Sequence, residues 1–178
     1  GYADPGTVAS GGDERPEKLR GNYYGGRLVN GMETLGFAYA LTNDARYAQH
    51  AVKLLVAAAQ TLPIAQPPMS QSYMDGVGAM MRGLALGYDF FAPQLTPQER
   101  ASVESAARAY VEFTLAEAAK PKQWWAPYHN YSGAAYGGAG ALAIAVRDAF
   151  PHEAQGWIDT CAAGLTKWFD MAFDAQGA

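Results

Sequence analysis

The chain has 178 residues, 49% hydrophobic and 17% charged, with 20 Gly and 10 Pro, which suits one globular domain with a packed core and excludes a disordered or collagen-like chain. A formal charge of −4 leaves no cationic surplus for neutralising phosphates, so neither nucleic acid nor a membrane surface is expected as a partner. A single cysteine, Cys161, rules out an intrachain disulfide and a multi-cysteine zinc site.

Residues 1–26 mix Gly, Pro and charge with few large aliphatics and are expected to form an irregular lead-in, leaving 27–178 as an array of helical hairpins. Leu28, Met32, Leu35 and Tyr39 recur at helical spacing, as do Ala48, Val52, Leu55 and Ala59 after the helix-start signal Thr42-Asn43-Asp44. Pro63, Pro67 and Pro68 predict a loop over 62–71, and Met74, Val77, Met81, Leu84, Tyr88 and Phe91 a third helix. Thr96-Pro97-Gln98-Glu99 combines a capping hydroxyl, proline at the first helical position and a carboxylate three residues on, and so predicts a fourth helix to about Ala119. An aromatic loop over 120–131 follows, then a fifth helix over about 132–148 and a sixth over about 153–172. The sixth is expected to bury Trp157, Cys161, Leu165, Trp168 and Phe169. The stretch without Asp, Glu, Lys or Arg from Gln123 to Val146 is rich in Gly and Ala, and reads as a buried helix rather than a membrane span.

No period-two pattern competes, so the fold class is all-α: three hairpins in a repeating array, with the small-residue helices three and five in an inner layer. Gly76, Gly83 and Gly87, and likewise Gly133, Gly137 and Gly140, fall on one helical face each, where backbones are expected to approach closely. The flank of helices five and six is expected to expose an apolar patch drawn from Ile144, Ile158, Leu165 and Phe169, because no further helix follows before Ala178.

Functional side chains are densest at Lys122-Gln123-Trp124-Trp125-Ala126-Pro127-Tyr128-His129-Asn130-Tyr131. Flat rings beside amide and imidazole groups, on a loop before an inner helix, are what a sugar cleft needs, since rings stack on pyranose faces while polar tips hold hydroxyls. The same residues have an ordinary structural use: Trp and Tyr bridge a core and its wet edge, Asn130 serves as a helix cap, and a histidine is often just hydrogen-bonded. His50, His129 and His152 lack metal-ligand spacing, so no metal is assigned, and no cofactor motif is present. A glycosidase pair is not supplied by one helix: Asp75 and Asp89 are separated by about 21 Å of helix, against the roughly 5–9.5 Å such chemistry needs. A pair between helices, such as Asp75 with Glu33, stays open.

Three phrases in order, Arg27 to Ala48, Arg82 to Phe91 and Leu95 to Arg100, followed by His129-Asn130-Tyr131-Ser132-Gly133 and a small-residue helix, resemble the helical toroid of heparinase II/III-like and alginate-lyase-like polysaccharide lyases. The resemblance covers most of residues 27–174 and implies an incomplete (α/α) toroid of about three hairpins. It also implies cleavage of uronic-acid polysaccharides by β-elimination, an acidic polysaccharide as partner, and a periplasmic or secreted location. In such lyases the C5 proton is acidic enough only when neutral donors hold the adjacent carboxylate and stabilise the enolate-like state. Asn130 matches the carboxylate-holding amide and His129 the neighbouring base or charge stabiliser, although the order here is His-Asn where several members read Asn-His. Trp124, Trp125, Tyr128 and Tyr131 are expected to line the substrate cleft, with Gln71, Tyr73 and Arg82 joining from on or just before the third helix. The resemblance places the catalytic tyrosine, further toroid helices and a β-rich region after Ala178, so none of Tyr128, Tyr131 and Tyr136 is assigned as the acid. A non-catalytic glycan-binding or structural helical module, or a helical-toroid glycoside hydrolase, would use the same aromatic loop.

Overall fold

The computed structural model describes residues 16–61, 73–120 and 129–173. Its elements are α1 (Pro16–Thr42), α2 (Ala45–Thr61), α3 (Tyr73–Phe91), a 3-10 turn (Ala92–Gln94), α4 (Pro97–Ala118), α5 (Asn130–Ala145) and α6 (Ala154–Ala172). The six expected helices are present, and among the described residues all regular structure is helical. Two boundaries are corrected. The first helix begins at Pro16 rather than near Arg27, a proline start that satisfies the local rule for the first helical turn. The fifth starts at Asn130 and ends at Ala145, with Val146 to Ala149 in turns. The expected loop over 62–71 lies outside the described residues.

The turns follow the side-chain chemistry. Asn43 takes a left-handed φ of 53° that ends α1, a conformation asparagine tolerates better than most residues. Asp44 Oδ1 then accepts the Arg46 amide at 2.9 Å, which caps α2. At α4 the Thr96 hydroxyl accepts the Glu99 amide at 3.3 Å while the Glu99 carboxylate accepts the Thr96 amide at 2.9 Å, so the predicted capping box is formed.

Helices α1, α3 and α5 form one layer, with α3 in the middle, and α2, α4 and α6 form the second. Met32, Leu55, Met81, Leu84, Phe91, Tyr110 and Leu142 are fully buried within one shared core, each contributing roughly 1.5–3 kcal/mol of hydrophobic stabilisation. Helices α1 and α3 run parallel: a Cβ at Gly25 would meet the Gly76 carbonyl, one at Gly83 would meet Leu28, and one at Gly87 would meet Met32. The expected glycine face on α3 is therefore real and is turned to α1.

The expected glycine face on α5 is not. A Cβ at Gly133 would meet the Trp168 ring and one at Gly140 would meet Cys161, both on α6, while Gly137 has open space around it. The backbone contact between α3 and α5 falls instead at Gly78 and Gly138: a Cβ on Gly78 would lie 2.5 Å from the Ala134 carbonyl oxygen, and one on Gly138 would lie 2.9 Å from Gly78 Cα. On α6, Trp157 and Cys161 are buried as expected, Leu165 and Trp168 only partly so, and Phe169 is 53% exposed. Of the expected apolar patch, Ile144 and Phe169 are exposed, whereas Ile158 packs on the core and Leu165 is half-buried. Phe169 belongs instead to a ring cluster, stacked on Phe173 at 5.7 Å and edge-on to Trp168 at 5.0 Å.

Candidate functional site

The head of α5 carries the candidate catalytic pair. His129 is the N-cap, with extended backbone (φ −83°, ψ 131°), and its ring Nδ1 accepts the Tyr131 amide at 3.4 Å. The cap is therefore His129 and not Asn130, as the sequence had suggested. Asn130 is the first helical residue and its side chain is exposed. An amide with no capping duty and open to solvent is free to meet a ligand.

The imidazole is oriented twice. Besides the cap, its ring lies against Tyr131 at 4.5 Å and 19°, a stacked pair of half-buried rings. A neutral imidazole whose Nδ1 accepts carries its proton on Nε2.

Around this point the structure adds residues that the sequence reading did not place there. Ala118, near the C-terminal end of α4, packs with Tyr131 and Tyr136 around buried Ala135 of α5. Beside it in α4, Glu117 is buried to 7% exposure and is ion-paired with Lys120. Trp168 reaches from α6 to Gly133, and its indole N–H is buried with no partner among the described residues. Gly133 was the available signal, since a glycine one turn inside a helix leaves room for a ring from a neighbour. Tyr136, in contrast, faces Gly164 on α6, where burial raises its phenol above the ordinary range.

Arg82 is exposed on α3, with no ion pair among the described residues. Helix α4 runs antiparallel to α3, with Thr114 by Met81 and Glu104 by Tyr88, and likewise to α5, with Ala118 by Tyr131 and Arg108 by Phe150 just past its end, so α5 is parallel to α3. The contact of Gly78 with Ala134 and Gly138 then puts Arg82 level with about residue 140 of α5, roughly 15 Å along the helix axis from Asn130. It shares the exposed side of the inner layer with Asn130 but not its immediate surroundings. Tyr73 is the first residue of α3, which places its backbone at the same end of the layer; its side chain, and Gln71, Trp124, Trp125 and Tyr128 entirely, lie outside the described residues.

Among the described residues no three His, Cys, Asp or Glu side chains come together as a metal ion would need, and no helix is long and apolar enough to cross a membrane. Cys161 is buried on α6, and burial pushes its thiol up to about 11, so it stays protonated and unreactive at neutral pH. No protein-family model and no curated protein sequence matches the chain.

Proposed function

We propose that this chain forms one wall of the cleft of a polysaccharide lyase acting on uronic-acid glycans by β-elimination, within an incomplete (α/α) toroid. The observation that carries the reading is the head of α5: an exposed Asn130 amide directly follows a His129 whose Nδ1 is engaged by the helix. The Asn130 amide is then a neutral donor at the head of a helix, where an anionic oxygen would also meet the positive end of the helix dipole. Asn130 holds the uronate carboxylate as a neutral donor, lowering the barrier to C5 proton removal. His129 stands beside it as the neighbouring base or charge stabiliser. Trp124, Trp125, Tyr128, Tyr131, Gln71 and Tyr73 supply stacking and hydroxyl contacts in this proposal, and Arg82 attracts the polyanion. The two-layer order, with parallel glycine-bearing helices inside and their partners outside, is the local arrangement such a toroid repeats. The proton-transferring group, the remaining cleft wall and a β-rich region would come from sequence beyond residue 178, and the location would be periplasmic or secreted.

The test is product absorbance. The protein, as residues 1–178 and with any sequence its gene encodes beyond Ala178, is incubated with alginate, heparan sulfate, chondroitin sulfate and hyaluronan. A rise in ultraviolet absorbance from the C4–C5 double bond on one of them supports the reading. No such product from the longer form on any uronate polymer overturns it, and release of saturated sugars instead would point to a glycosidase.

A further inference from the structure

We infer that Tyr131 is a positioning residue: its ring fixes the plane of the His129 imidazole, and it is not a platform on which a sugar ring stacks. The consequence for catalysis rests on the reading above, whereas the ring geometry stands without it.

Tyr131 meets His129 twice. Its backbone amide donates to Nδ1 at 3.4 Å, and its ring lies against the imidazole at 4.5 Å and 19°. The two contacts constrain different things. A bond of that length, beyond the usual range for an amide donor, ties one ring atom to the helix and leaves the plane free to tilt. A flat face laid against the imidazole removes the tilt, because rings held in a stack keep their planes nearly parallel. Together they settle the directions of both ring nitrogens, which a base or charge stabiliser needs in order to meet a substrate in one geometry.

The ring is itself held. Tyr131 is half-buried and packs on Ala135, four residues on and so on the same face of α5, in a cluster that Ala118, the last residue of α4, also joins. Helix α4 thereby backs the ring that backs the imidazole. A sugar stacks on an open aromatic face; here one face lies on His129 and the ring is packed besides against Ala135, so the hydroxyl is the part of Tyr131 left to meet a ligand. The cap and the stack can be separated at this one position. Any residue but proline keeps the amide at 131, so exchanging the ring leaves the cap donor in place.

Nuclear magnetic resonance of the His129 ring in isotopically labelled protein, at a pH above the ordinary imidazole range, tests this, with His129→Asn used to tell its signals from those of His50 and His152. Long-range nitrogen–proton correlations read the tautomer, and relaxation reads the motion of the ring. Wild type is expected to show the Nε2-protonated tautomer alone, an ordered ring and a cross-relaxation contact between the two rings. Tyr131→Phe keeps all three. Tyr131→Leu keeps the amide and the apolar packing but is expected to mix the tautomers and free the ring. On whichever uronate polymer the protein cleaves, Tyr131→Leu is expected to lower kcat about tenfold or more with KM little changed, since a misplaced ring costs the transition state more than it costs binding, and Tyr131→Phe to keep kcat. Equal tautomers and ring order in Tyr131→Leu and wild type overturn the inference, as does a raised KM with kcat kept, the mark of a sugar platform. No contact between the two rings in the wild type overturns it without any variant. If no polymer is cleaved, the lyase reading falls and the His129 spectra alone decide whether Tyr131 positions the imidazole.

Discussion

His129 holds two duties that one substitution can separate. Its Nδ1 caps α5, and asparagine is among the best capping residues. We expect His129→Asn to melt within a few degrees of wild type, whereas His129→Ala loses roughly 1 kcal/mol with the cap; thermal unfolding followed by circular dichroism measures the difference. Both variants are expected to lose uronate cleavage, since neither has the imidazole. An active His129→Asn would reduce the imidazole to a cap. Capping carboxylates elsewhere give the stability a pH dependence of known sign. Hydrogen bonds to Thr96 hold the Glu99 carboxyl below its ordinary range, and those to Arg46 do the same for Asp44. A depressed folded pKa means stability that is present above the ordinary carboxylate range and is lost as pH falls through the lowered values. Acid titration of the unfolding midpoint is expected to show this loss below pH about 4.5, and Thr96→Ala to flatten part of it. The local motifs that need only a few neighbours were legible in sequence: the Thr96 box formed, and Asp44 caps as Thr42-Asn43-Asp44 suggested. The α5 cap was misplaced by one residue, because the sequence shows that a hydrogen-bonding side chain is there but not which of two adjacent ones turns back onto the helix.

The glycines of α5 show what spacing alone can and cannot say at the level of packed helices. Their recurrence suggests one shared face of Gly133, Gly137 and Gly140 for close packing, whereas two of them admit α6 and the third faces open space. The partner of each face depends on where the neighbouring helices sit, which no single helix encodes. Gly78 and Gly138, which meet backbone to backbone, followed from no period in the sequence. Paired substitutions test the distinction. Gly138→Ala and Gly78→Ala push a methyl into an unyielding carbonyl and are expected to destabilise the fold by about 1–3 kcal/mol. Gly137→Ala meets nothing and is expected to stabilise α5 by roughly 0.5–1 kcal/mol through helix propensity. Chemical denaturation with an unchanged m-value is the measurement; equal effects at Gly137 and Gly138 would mean that the α3–α5 contact is not as close as described. The length of α1 was also illegible, because Gly, Pro and charge over 16–26 favour loop by propensity, and packing of Gly25 against α3 can override that preference.

For the whole molecule, periodicity was enough to give six helices and two layers, since burying each apolar stripe leaves few arrangements of consecutive hairpins. It did not give the relation of sites on different helices: Arg82 and Asn130 looked like neighbours in one cleft and stand about 15 Å apart along the layer. The central claim is that the head of α5 holds a uronate carboxylate. The most direct measurement is the affinity of the protein for a tetrauronate, by calorimetry, in wild type and Asn130→Ala. Because Asn130 is exposed and makes no cap, its truncation should leave the melting temperature unchanged while weakening binding about tenfold or more, the scale of a lost hydrogen bond to a charged group. Equal affinity in the two proteins, with both folded, would contradict it.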